Sequence, residues 1–291
     1  MWTFLNDSFV HEDQAKISVF DHGFLYGDGV YETLRVYHGK IFLLERHVAR
    51  LRQSCQLIGL ELPIPEKQWP ALVGETLRRN HLAEASVRIT ISRGRGELGL
   101  DPSLCPRPTI VIMARPFRPY PPSFKKEGVR LELVEVRRNP ISAQSPRIKS
   151  LSFLNNILAK QEALRKGGFD ALMLNIDGYV SECPTSNVFF VHDEEIKTPS
   201  VDCGILEGVT REAVKILADE QGITLHEGRY RAQELFDAEE CFITNTSMEI
   251  MPVSRIGDKR IGLECPGPLT AKLCQLFQEN VERFLSPLPQ E

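Results

Sequence analysis

The chain has 291 residues, of which 42% are hydrophobic and 25% charged, enough for a full core in two domains without disulfides. Its formal net charge is −4 and its Lys and Arg residues are scattered, which argues against a nucleic-acid partner. No run approaches the roughly 18 apolar residues of a membrane span, and the seven cysteines form neither a CxxC nor a zinc-spaced Cys/His cluster, so free thiols in a cytoplasmic protein without a metal are expected.

The opening MWTFLNDSFVHED lacks a basic n-region and a long apolar run, so it does not resemble a signal peptide. Trp2–Leu5 and Ser8–Val10 read as a hairpin turned at Asn6-Asp7. Residues 31–37 and 40–43 read as strands turned at His38-Gly39. Leu44, Val48, Leu51, Cys55 and Ile58 recur at helical spacing. Residues 86–92 and 109–115 are rich in β-branched residues and predict strands. Pro116, Pro119, Pro121 and Pro122 then crowd one stretch, which predicts a linker at 116–126 between domains at 1–115 and 127–291.

Beyond the linker, 130–136 predicts a strand, and 152–166 a helix stopped by Gly167-Gly168. Residues 171–176, 179–183 and 188–191 predict strands, the first two turned at Asp177-Gly178. Helices are expected over 210–221 and 268–284, with a strand at 241–245 between them. Strands and helices mix without regular βαβ alternation, so the expected class is α+β in two domains.

Four positions could carry chemistry. Lys149, beside Ile148 and before an apolar helix start, becomes a nucleophile if desolvated. Gly208, Val209 and Thr210 stand where a loop enters a helix, an arrangement that can cradle a phosphate. Arg50 lies one position off the apolar stripe of its helix and could pair with an anion. Glu182, on a predicted strand among residues expected to be buried, needs a partner. Each also has an ordinary explanation: a solvated lysine, a helix N-cap, a surface arginine, an internal ion pair. Gly23, Gly27 and Gly29 do not form GxGxxG, and no GxxxxGK[ST] occurs, so a dinucleotide or NTP site is not indicated.

Taken in order, ISVFDHGFLYGDGVYETLR, ERHVARL, SRGRGELGLDP, IKSLSFLNNILAKQEA, GYVSECPTSNVFFV, GILEGVTREAV and FITNTSMEIMPV resemble the class IV aminotransferases, the fold type IV pyridoxal-phosphate enzymes. The resemblance runs from about residue 17 to 253. It implies two α+β domains with pyridoxal 5′-phosphate between them and a homodimer whose partner completes the substrate pocket. By the same resemblance Lys149, in the C-terminal domain, carries the cofactor as a Schiff base and then moves the substrate proton. Glu182 faces the ring nitrogen. Arg50, Val209, Thr210 and Thr246 hold the phosphate, and Tyr31, Arg88 and Ser247 meet the substrate.

Within the family, RGxGxLGLDP and KSLxxLNNILAK are similar to prokaryotic branched-chain aminotransferases. The activity implied is amino transfer between an amino acid and a 2-oxo acid, with branched-chain L-substrates first. Several positions depart from that pattern: Thr33 for Gly, Ser86 for Tyr, Phe153 for Tyr, and Asn245-Thr246-Ser247 for Gly-Thr-Ala. Thr33, the SRG strand at 92–94 and the 245–253 loop lean towards aminodeoxychorismate lyase. A D-amino-acid aminotransferase would carry a His after Arg93, and none stands there.

Overall fold

A computed structural model describes residues 1–288 of the chain. Met1–Arg118, Ile148–Phe153 and the described residues from Glu282 form one compact unit; Pro119–Arg147 and Leu154–Val281 form the other. The segment bearing Lys149 therefore groups with the first unit, although its position in the sequence places it after the proline-rich stretch. The chain returns to pair its backbone with the first sheet, which local sequence does not announce.

The first unit is an antiparallel sheet covered by helices. Its strands are β1 (Trp2–Leu5), β2 (Ser8–His11), β3 (Gly29–Tyr37), β4 (Lys40–Phe42), β5 (Ala85–Ser92) and β6 (Thr109–Pro116), joined by Leu285–Ser286 at one edge. The order runs Leu285–Ser286, β4, β3, β5, β6, β1, β2. Its helices are α1 (His22–Tyr26), α2 (Leu44–Leu57) and α3 (Trp69–Arg79). Alternation along β3 and β5 turns Val30, Leu34, Val36, Val87, Ile89 and Ile91 to one face. There they pack with Leu44, Val48, Leu51 and Cys55 of α2 and with Trp69, Val73 and Leu77 of α3. Burying each such side chain is worth about 1.5–3 kcal/mol. Glu32 shares the inward phase of Val30 and Leu34 and is fully buried.

The second unit is built on a mixed sheet: β7 (Val129–Leu133), β8 (Asp170–Leu172), β9 (Asn187–His192), β10 (Glu195–Pro199), β11 (Leu225–Gly228), β12 (Glu240–Asn245), β13 (Glu249–Ile256) and β14 (Lys259–Arg260). The order is β11-β10-β9-β12-β13-β7-β8, with β14 on β13. Three pairs in it are parallel, β10 with β11, β13 with β7 and β7 with β8. Its helices are α4 (Pro122–Glu127), α5 (Leu154–Arg165), α6 (Val209–Glu220), α7 (Ala232–Phe236) and α8 (Pro268–Asn280). The α+β class is thus observed in both units.

Two local expectations fail for physical reasons. The proline-rich stretch contains α4, because Pro122 occupies the first helical turn, where a missing N–H costs nothing. Residues 179–183 form no strand; isolated bridges Leu174↔Val180 and Tyr179↔Arg231 replace a ladder. The Asp177-Gly178 turn is present, with Gly178 at φ 78° and Asn175 Oδ1 accepting from the amides of Asp177 and Tyr179. Helix α3 is an element that propensity reading misses entirely.

Candidate active site

In the first unit, Lys149 is held by its backbone. Its carbonyl accepts from Tyr31 N at 3.0 Å, Leu151 N donates to Gly29 O at 2.9 Å, and Lys149 N donates to Ser54 Oγ of α2 at 3.1 Å. The segment thereby extends the start of β3 as an antiparallel bridge, Val30↔Ser150. The half-buried Lys149 directs Nζ to the Tyr31 ring, 4.7 Å from its centroid. Arg88, on the neighbouring β5, lies over the same ring at 3.9 Å. Burial raises the Tyr31 hydroxyl above its ordinary value, with the Arg88 guanidinium opposing. Tyr31 is therefore a hydroxyl donor at neutral pH.

Arg50 is brought to the same end of β3. Its Nε and Nη2 donate to Glu32 Oε1 and Oε2 at 2.7 and 2.8 Å, a two-point pair. His47 Nδ1 meets Glu32 Oε2 at 2.7 Å. His47 is fully buried, and desolvation outweighs Glu32 in setting its pKa, which is lowered. The ring is then neutral, with Nδ1–H donating to the carboxylate. Glu32 is held well below the usual carboxylate range: burial opposes this, and Arg50 and His47 together overcome it. Sequence reading found Arg50 and missed Glu32 and His47. The available signal was a carboxylate at an inward position of β3, opposite a helix carrying His and Arg three residues apart.

In the second unit, Glu182 is 5% exposed and fully engaged by neighbours. Arg138 Nη2 stands 2.9 Å from Oε1. Oε2 accepts from Leu206 N at 3.0 Å and from Asn187 Nδ2 at 3.2 Å. Asn187 Nδ2 also donates to Leu206 O at 2.8 Å. One amide side chain therefore ties the carboxylate to the loop that leads into α6.

Helix α6 begins at Val209 behind Gly208, which offers no side-chain cap. The first-turn amides of a helix have no intrahelical acceptor and carry the positive end of its dipole. Thr210 is 2% exposed, and its Oγ1 has no hydrogen-bond partner among the described residues. Leaving a buried hydroxyl unsatisfied costs about 1–3 kcal/mol. A tetrahedral anion at this helix start would satisfy it, so the residues present fit the phosphate of pyridoxal phosphate. A Cβ on Gly208 would lie 2.0 Å from Asn187 Oδ1. Gly208→Ala is accordingly expected to push Asn187 away and disturb both the amide cradle and Glu182. Titrating apoprotein with the cofactor, followed by fluorescence, should show at least about tenfold weaker binding, or roughly 1.4 kcal/mol; native affinity would refute the coupling.

Thr246 and Ser247 lie in the turn between β12 and β13. Asn245 Oδ1 accepts from Ser247 N at 2.9 Å and Met248 N at 2.7 Å, and its Nδ2 donates to Thr185 O at 3.2 Å. Asn245 thus shapes this turn through its side chain, which a glycine there cannot do. Lys125 of α4 clamps the other side through Met248 O and Ile250 O. Lys149, Tyr31, Arg88 and Arg50 are gathered in the first unit, and Glu182, Val209, Thr210, Thr246 and Ser247 stand in the second.

Residues 29–256 match the family described as amino-transferase class IV. A Methanocaldococcus jannaschii protein named "Putative branched-chain-amino-acid aminotransferase" is 42% identical over 279 residues, covering 96% of each chain. The aminodeoxychorismate lyase of Bacillus subtilis is 34% identical, over 97% of this chain and 95% of its own. Among solved structures, the branched-chain aminotransferase of the thermophilic archaeon Thermoproteus uzoniensis with norvaline superposes with a TM-score of 0.91 at 33% identity, over 99% of each chain.

Proposed function

Because the chain belongs to the class IV aminotransferases, pyridoxal-phosphate enzymes, we propose that it moves an amino group between branched-chain L-amino acids and a 2-oxo acid. The observation that carries the chemistry is Lys149, an amine aimed at an aromatic face from a backbone fixed on both sides. The substrate class follows the relative at 42% identity. Pyridoxal 5′-phosphate, when bound, supplies the electron-withdrawing ring that stabilises negative charge at the substrate Cα.

The chain's own groups divide the remaining work. Lys149 is the amine that would hold the cofactor covalently, and the same amine would carry the proton at the substrate Cα. Arg50, the amides at Val209 and Thr210, the Thr210 hydroxyl and Thr246 hold the phosphate. Glu182 holds a proton at the ring nitrogen. Tyr31, Arg88 and Ser247 meet the substrate. In the test, holoenzyme is mixed with L-leucine alone, and its yellow absorbance should bleach and return on adding 2-oxoglutarate. Bleaching by D-alanine but not by L-leucine would overturn the substrate assignment. The lyase reading has its own support in Thr33 and the Bacillus relative. It would prevail if aminodeoxychorismate gave pyruvate while leucine left the spectrum unchanged.

The active species is read as a homodimer in the cytoplasm. Val19, Phe24, Leu98 and Leu100 are 64, 67, 69 and 82% exposed. They do not sit on loose chain: His22 N bonds Gly94 O, His22 Nε2 meets Glu97 O, and Gly99 N bonds the Tyr26 hydroxyl. These exposed apolar side chains, on two segments that hydrogen bonds tie together, support an interaction site here, and a second copy is the proposed occupant. Light scattering should give about twice the 33.0 kDa chain mass. The Leu98→Lys, Leu100→Lys double variant should give the single-chain mass; a native chain already of single mass removes the proposal.

A further inference from the structure

Arg138 is the partner of Glu182 that sequence reading does not single out. It lies beyond β7, where its backbone N donates to Leu174 O at 2.9 Å. All three guanidinium nitrogens are occupied. Nη2 meets Glu182 Oε1 at 2.9 Å, Nε donates to Gly204 O at 3.2 Å, and Nη1 donates to Asn156 Oδ1 at 3.1 Å. Asn156 is itself fixed, its Nδ2 donating to Pro184 O at 2.7 Å. The guanidinium is thus held from the loop before α6 and from α5, and its side chain is 14% exposed.

A carboxylate offers about four lone-pair positions when ionised and only accepts. On Glu182, Arg138, Asn187 and Leu206 each supply a donor. A fixed positive charge this close favours the ionised form over the protonated one. Asn187 and Leu206 also favour the ionised form through their hydrogen bonds, but of these three donors Arg138 alone adds a full positive charge. The pair is also nearly dry, so its attraction is weakly screened.

We propose that Arg138 is a positioning residue for the ring-nitrogen proton: by keeping Glu182 an ionised acceptor, it makes the proton shared with the cofactor reside on nitrogen rather than on the carboxylate. This rests on the assignment of Glu182 to the ring nitrogen. No bond to carbon changes in this step. One proton has two possible homes, and a neighbouring cation selects between them. With the cation gone, Glu182 becomes more basic and the shared proton shifts towards the carboxylate.

The test uses holoenzyme loaded with cofactor carrying 15N in the ring, read by NMR against protonated and neutral reference compounds. The native chain is expected at the protonated position. Arg138→Gln keeps donors but no charge, and should move most of the way to the neutral position. Arg138→Lys keeps the charge and should stay near native. Glu182→Gln is the control for the underlying assignment and should lose the protonated signal. A native signal in Arg138→Gln beside a shifted one in Glu182→Gln overturns the role of Arg138. A native signal in Glu182→Gln overturns the assignment of Glu182 itself. If Arg138→Gln does not fold, Arg138→Met replaces it: the neutral position supports the proposal and the protonated position refutes it, as does a neutral position in Arg138→Lys.

Discussion

Lys149→Ala is expected to fold as the native chain does and to lose all cofactor that borohydride can fix to the protein. The fold should survive because three bonds that hold this segment use its own main chain: Lys149 O to Tyr31 N, Lys149 N to Ser54 Oγ, and the Leu151–Gly29 bond. The side chain is only half-buried, over the Tyr31 ring, so its removal costs less packing than a core truncation would. Loss of the amine also removes the group that moves the substrate proton. Positioned proton transfer contributes about 10²–10⁴-fold, so turnover should fall by at least that factor at saturating cofactor. The measurement is peptide mapping after reduction, paired with the leucine half-reaction. A reduced label at native stoichiometry in the variant would show that another amine carries the cofactor.

What the sequence made legible here is what lies within a single element. Thr210 at a helix start, Lys149 before an apolar helix and the spacing of α2 are all local, and chain order alone assembled them into a family resemblance. Pairing across space was not legible. Arg50 could be suspected, but its anchor Glu32 lies on a strand eighteen residues earlier. Glu182 was expected to need a partner, yet nothing near it in the chain named Arg138, and the strand drawn through it is not formed. The return of Ile148–Phe153 to the first unit belongs to the same class. It rests on backbone bonds to Gly29 and Tyr31, which any sequence could make. The helix at Pro122–Glu127 was obscured for a different reason, since proline ends helices as a rule but begins them at the first turn.

Glu32→Gln should be among the most destabilising single changes in the first unit, and its cost should depend on pH. The native carboxylate is fully buried and answers two cationic or N–H groups at once, Arg50 in two-point geometry and His47 through Nδ1. An amide can accept from only one side, so Arg50, about nine-tenths buried, loses half its fork and its counter-charge. Breaking a buried pair by removing one partner costs about 3–5 kcal/mol. Because the folded pKa of Glu32 is depressed, its contribution is fully present above the ordinary value of 4.5 and is lost as pH falls towards the folded value. His47, also depressed, adds a loss in both chains as pH drops below its ordinary 6.5, and a larger one in the variant, which lacks the carboxylate that raises the ring's pKa. Urea midpoints at pH 7 should therefore separate native from Glu32→Gln widely, and the gap should narrow below about pH 4.5. A gap of constant width would mean that the charge on Glu32 contributes nothing. Arg50 would then be held by packing alone, and its orientation towards an anion would have to come from elsewhere in α2.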